Sequence, residues 1–167
     1  MSATPTSDAK PLPQPDPVTV PYWESVRRHA MRLQRCRICR RFVFYPRPLC
    51  PFCFDGPLEW VPVSGRGVIY AFTVVHRAPG PEFQPDLPYT VALVDLDEGA
   101  RMMTTIVSRP ADGAASTTAP VTMGTSASAA VPITIGTAVE VVYEDVTPEV
   151  TLPRFRPLPA GGPAGGH

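Results

Sequence analysis

Cys36-x2-Cys39, followed after a spacer of ten residues by Cys50-x2-Cys53, is the feature of this chain that most restricts its fold. Two knuckles of this kind bring four soft thiolate donors into one tetrahedral cage, the donor set and geometry that suit zinc. All four positions are cysteine, so none is left open for activating water, and the expected role of the metal is structural. Iron in an all-thiolate site has the same ligands and stays open as an alternative. Paired redox dithiols fit less well, because one Cys-x2-Cys suffices for that chemistry. Unliganded buried cysteines would leave the doubled spacing unexplained. Arg40 and Phe54 follow the second cysteine of each knuckle, where many ribbons place glycine to relieve the turn, and Gly56 is expected to do part of that task.

A metal is needed here because the segment is too short to stabilise itself. Residues 33–58 hold only a brief apolar hairpin, Phe42 to Tyr45, between the cysteine pairs. After Trp60 the pattern changes to short runs of β-branched and aromatic residues: Gly67–Val75, Tyr89–Asp95, Arg101–Val107 and Ala138–Tyr143. A fifth run, Val150–Phe155, contains Pro153 and is expected at a sheet edge or end. Asp97, Glu98 and Gly99 read as a tight hairpin joining the second and third runs. Gly65-Arg66-Gly67 is too short for a phosphate loop and reads as a bend or bulge opening the first barrel strand. Five short strands with one long excursion suit a small barrel of the OB-fold kind, over residues 59–157. The excursion, 109–132, is rich in Ala, Ser, Thr and Gly and reads as a flexible insertion.

Ahead of the cysteines, Pro21 to Ala30 reads as a short helix with Pro at its start and Glu24 near its positive end, within a helical segment 21–32. Trp23, Val26 and Ala30 would share the face that docks on the rest of the protein. Residues 1–20 are expected to form a disordered, proline-rich arm, and 158–167 a disordered Gly/Pro tail. No run approaches the roughly 18 apolar residues of a membrane span, and the start lacks a signal-peptide pattern. The expected location is the cytoplasm, where cysteines serve metals more often than disulfides.

The formal net charge is zero, yet Arg27, Arg28, Arg32, Arg35, Arg37, Arg40, Arg41 and Arg47 lie in a stretch without an acid. Such a stretch is either a solvated face or a binding surface for phosphates or acidic protein. His29, placed in the helix, His76 at a strand end and His167 in the tail do not form a second metal site. No nucleophile motif stands out, so the chain by itself shows no catalytic machinery.

The stretches Pro21–Cys36, Phe44–Cys53, Leu58–Arg77, Pro88–Gly99 and Val139–Pro157 together resemble the family called domain of unknown function 35. The resemblance implies a short N-terminal helix, a rubredoxin-like zinc ribbon and an OB-fold, a mainly β chain with disordered termini. It also implies an accessory subunit of thiolase-like or lipid-transfer-protein-type aldolase enzymes that act on acyl-CoA, in lipid or steroid metabolism. The partner would then carry the catalytic residues, and Cys36, Cys39, Cys50 and Cys53 would hold zinc. Arg28, Arg32 and Arg47 become candidates for the CoA phosphates, since guanidinium groups bind phosphate bidentately. Tyr22 and Trp23 become candidate partner contacts. A homodimer or a complex with two copies of each chain would suit a dimeric partner. Residues 109–132 depart from the family, where this link is shorter.

Two other functions compete. Zinc ribbons and OB-folds also bind nucleic acid, but here acids flank the barrel strands (Asp95, Asp97, Glu98, Glu140, Glu144, Asp145) where a strand binder would carry basic and aromatic residues. An independent thioester enzyme would need an acid, base or nucleophile set that the sequence does not display.

Overall fold

A computed structural model describes residues 10–107 and 133–158. The expected insertion at 109–132 lies outside these residues, as do positions 1–9 and all but Leu158 of the expected tail. The chain expected as an arm is placed from Lys10 onward. Asp16 holds it just before the helix: its Oδ1 accepts from the Val18 and Thr19 amides at 2.9 and 2.8 Å, and its own amide donates to Thr19 Oγ1 at 2.9 Å. A short carboxylate satisfies the backbone ahead of a helix in this way, a local contact that the proline content obscured.

Helix α1 spans Val20–Arg27, with Pro in its first turn. Its inward face is Tyr22, Ser25 and Val26, all buried, whereas Trp23 is half-buried. Ala30, expected on that face, is exposed. The helix ends at Arg27, and His29 takes φ 53°, so Ala30 has already left the helical spiral. Ser25 Oγ bridges the exit, donating to the Tyr22 carbonyl at 2.7 Å and accepting from the Arg32 amide at 3.1 Å.

Strands β1 (Arg32–Cys36), β2 (Phe42–Val43) and β3 (Leu58–Pro62) form an antiparallel sheet ordered β2-β1-β3. β3 pairs with β1 from Cys36↔Leu58 to Arg32↔Pro62, so the ribbon sheet runs past the boundary expected at residue 58. Strands β4 (Arg66–Val75), β5 (Tyr89–Leu96), β6 (Arg101–Ile106), β7 (Ala138–Asp145) and β8 (Thr151–Pro157) close a barrel in the order β4-β5-β6-β8-β7. β5 alternates half-buried and buried positions along its whole length, the pattern of a barrel strand. The β5–β6 connection turns on Gly99, φ 89°, whose amide donates to the Leu96 carbonyl at 2.8 Å, as the hairpin reading requires.

β8 is not at an edge, which corrects the expectation drawn from Pro153. It pairs with β7 from Thr151 to Pro157 and touches β6 in parallel at a single register pair, Ile106↔Phe155. A strand with proline fits there because the β6–β8 seam needs few backbone donors. Side chains close much of it: Thr104 Oγ1 donates to the Pro153 carbonyl at 3.3 Å and Arg154 Nη1 to Thr105 Oγ1 at 2.8 Å. Closure removes the edges that open sheets must protect.

One core joins all three parts. Tyr22 and Val26 from the helix and Met31 and Leu33 from the ribbon are continuous with Ile69, Val94, Met102, Ile106, Val139 and Phe155 of the barrel. Helix α1 makes the join, packing against β1 of the ribbon and β7 and β8 of the barrel. No helix among the described residues is long and apolar enough to cross a membrane.

Candidate metal centre

The two knuckles repeat one backbone device. The Arg40 amide donates to the Cys36 carbonyl at 3.0 Å, and the Phe54 amide to the Cys50 carbonyl at 3.1 Å. Arg40 and Phe54 both take left-handed conformations, with φ 64° and 58°. These are the positions where glycine would be least strained, so the turn is made without the relief expected from Gly56. Gly56 has a different task. A Cβ at that position would sit 2.1 Å from Cys36 Sγ and 3.2 Å from Cys53 Sγ, so the backbone approaches the sulfurs as closely as only glycine permits.

The four sulfurs lie within 4.8 Å of one another, with Cys36 to Cys53 and Cys39 to Cys50 each at 3.6 Å. A tetrahedron with zinc–sulfur bonds of about 2.3 Å has edges of about 3.8 Å, so the cage has the right size. Its electrostatics also call for a cation. At Cys36, burial raises the thiol pKa, yet the Cys39 and Ile38 amides outweigh this and the net shift is downward. Cys50 behaves alike: burial opposes ionisation, but the Cys53 and Phe52 amides prevail. Cys39 moves the other way. The Arg41 amide favours its thiolate, but burial and the three neighbouring sulfurs push it up to about 11. Thiolates this close repel one another unless a cation sits between them.

Replacing Gly56 by alanine should displace the Cys36 sulfur and lower zinc occupancy, with no change in the cysteine set. Elemental analysis of the purified variant checks this, and full occupancy would show that the loop can yield.

The arginine candidates each have contacts of their own. Arg28 is exposed and 3.7 Å from Glu24, and Arg32 Nη2 donates to the Trp60 carbonyl at 2.8 Å. Arg47 is exposed, while its amide and carbonyl are clamped by the Gln34 side chain at 2.7 and 3.0 Å. Tyr22, at 1% exposure, is chiefly a core residue, although it also lines an open groove. Trp23 donates from Nε1 to Tyr45 Oη at 2.8 Å. These two line an open apolar groove of about 430 Å³ against Met103, Leu152 and Pro153 of the barrel. Tyr45 and Met103 escaped sequence reasoning, because nothing local tells that a ribbon aromatic and a barrel methionine share a groove.

His29 is not helical. Its ring stacks on Tyr143 with centroids 4.9 Å apart, and its Nε2 lies 2.9 Å from Asp145 Oδ1. That contact, followed by the Thr151 hydroxyl, holds the Asp145 carboxyl below its usual range. His76 is exposed just beyond β4. Among the described residues, the four cysteines are the only cluster able to hold a metal.

A small ribbon carrying a four-sulfur cage, packed through a shared core onto a five-stranded closed barrel, defines a zinc-ribbon and OB-fold protein. Residues 23–59 match the family model described as the ChsH2 rubredoxin-like zinc ribbon domain, and residues 60–144 that of the ChsH2 C-terminal OB-fold domain. The chain belongs to this ChsH2 family, also called DUF35. It is 32% identical over 138 residues to a probable enoyl-CoA hydratase alpha subunit of Thermomonospora curvata, covering 81% of this chain and 36% of that protein. It is 35% identical over 100 residues to a DUF35 domain-containing scaffold protein of Methanocaldococcus jannaschii, covering 58% of this chain and 70% of that one. The chain thus spans about a third of the first relative and most of the second. A solved structure described as an Ltp2-ChsH2(DUF35) aldolase superposes with a TM-score of 0.65 at 31% identity, covering 87% of this chain and 98% of the matched chain.

Proposed function

We propose that this chain is a noncatalytic, zinc-stabilised subunit that docks on a thiolase-like or lipid-transfer-protein-type aldolase partner and assists acyl-CoA binding or assembly of the complex. Cys36, Cys39, Cys50 and Cys53 are the zinc ligands of this proposal. Arg28, Arg32 and Arg47 are its candidates for the CoA phosphates, and Trp23 its candidate partner contact beside Tyr22. The observation that carries the reading is the likeness, over nearly all of the matched chain, to a subunit seen with an aldolase. The distribution of charge supports it. On the barrel, Arg101, Arg154 and Arg156 are each paired with a carboxylate, Asp95, Glu144 and Glu140, which leaves a poor surface for a nucleic-acid backbone.

Affinity capture of the tagged chain from its own cells, with mass spectrometry of the bound proteins and elemental analysis, tests this. The expected result is a stoichiometric acyl-CoA enzyme subunit and one zinc per chain. Turnover of acyl-CoA by the purified chain alone, or salt-sensitive retention of oligonucleotides in place of an enzyme, would refute it.

A further inference from the structure

The ribbon presents bulky apolar side chains outward at the cysteine end. Ile38 and Phe52 occupy the same place in the two knuckles, just before the second cysteine of each, and are 57% and 49% exposed. Leu49 and Phe54, which flank the second knuckle, are 60% and 76% exposed. Each of the four is the sequence neighbour of a ligand cysteine, and the four sulfurs lie within 4.8 Å of one another, so all four belong to the same end of the ribbon. Scattered exposed apolar residues are ordinary on protein surfaces, but a contiguous group marks an interaction site.

Phe54 is the most telling of them. Its backbone is left-handed, at φ 58°, where glycine would be easier to accommodate, and its ring is mostly in water. Neither the knuckle nor the core gains from phenylalanine there. Nor is it one of the four ligands of the metal cage. Two cations lie at the same tip, together with one exposed acid, Asp55, next to Phe54. Arg41 rests its guanidinium over the Phe52 ring, 5.0 Å from the centroid, and Arg40 is the exposed counterpart of Phe54 in the first knuckle. Neither has a carboxylate partner among the described residues, and residues 25–54 contain no acid.

We propose that this tip, with its apolar centre and arginine rim, docks into an apolar pocket rimmed by carboxylates on the enzyme subunit. The proposal rests on the docking function above and names the surface used. Three barrel carboxylates of a second copy, Asp95, Glu140 and Glu144, are already held by arginines of their own chain, whereas exposed Asp97 and Glu149 have no ion pair among the described residues. An acidic rim on a different protein would complement the tip and steer its approach.

The test uses full-length chain and the purified enzyme subunit that co-purifies with it. Phe54→Gly should keep full zinc content and an unchanged or higher thermal midpoint, because glycine relaxes the left-handed position, yet weaken binding to the enzyme at least tenfold. Arg40→Glu combined with Arg41→Glu should weaken it by a similar factor and flatten its salt dependence. Ile135→Ser, also at an exposed apolar residue (73%), should bind within twofold of wild type. Should Phe54→Gly and the charge reversal both bind within twofold, the tip is not the interface while the docking function stands. Should wild type bind no enzyme subunit, that function falls and this inference with it. A loss of self-association in the variants, seen by sedimentation, would assign the tip to a second copy and overturn the proposal.

Discussion

Cys50→Ser should strip the metal from this protein and unfold residues 32–62, while the barrel keeps most of its amide protection. Serine retains the size of cysteine but offers a hard, protonated hydroxyl in place of a soft thiolate, and Cys50 is fully buried, so no water can substitute. The ribbon has little else to hold it. Apart from Cys36, its strands bury only Leu33, Val43 and Gln34, far short of what a unit of this size needs to fold unaided. Structural zinc contributes on the order of 10 kcal/mol to comparable small modules, so its loss exceeds any repacking the ribbon could offer. Elemental analysis should show well under one zinc per chain. Hydrogen exchange should show rapid exchange across β1 and β3 and slow exchange across β5 and β6. Slow exchange in β1 without bound metal would mean that packing, not zinc, holds the ribbon.

Phe155→Ala should do the opposite, weakening the barrel and sparing the metal. Phe155 is fully buried and stands where the two least similar seams meet, in register with Val141 on β7 and Ile106 on β6. Its carbonyl also accepts the Val107 amide at 2.8 Å, one of the few backbone bonds across the β6–β8 seam. Truncation of a buried phenylalanine costs about 3–5 kcal/mol, a large share of the roughly 5–15 kcal/mol that stabilises a typical domain. The thermal midpoint should fall by about 10 °C, with zinc stoichiometry unchanged because no ligand is touched. Calorimetry of the holoprotein measures both the shift and its cooperativity. A change of under about 2 °C would mean that the seam closes without the ring.

The opposite signatures follow from two different sources of stability, and those sources differ in how openly they are written in the chain. A metal cage is encoded by residue type and spacing, so Cys36, Cys39, Cys50 and Cys53 could be assigned together before any fold was known. The barrel strands were legible for a similar reason. β-branched runs of six to ten residues, bounded by turn residues, have few alternatives, and their observed limits differ from the expected ones by a residue or two.

The tertiary structure alone decided how these pieces meet. Pro153 argued for an edge, since proline has no amide to give a ladder, but the barrel places it on a seam closed by side chains, where that amide is not missed. Ala30 had the right spacing to share the helix face, and the left-handed turn at His29 removed it. Tyr22 and Trp23 are adjacent and equally apolar by composition, yet one is core and the other half in solvent, because only the direction in which α1 lies on the barrel distinguishes them. The arginines were visible as a run, but neither their individual contacts nor the apolar tip beside Arg40 and Arg41 could be read from it. Donor chemistry and strand pattern are local properties of a sequence. Closure, burial and the sharing of a surface depend on contacts between residues far apart in the chain, and these exist only once it has folded.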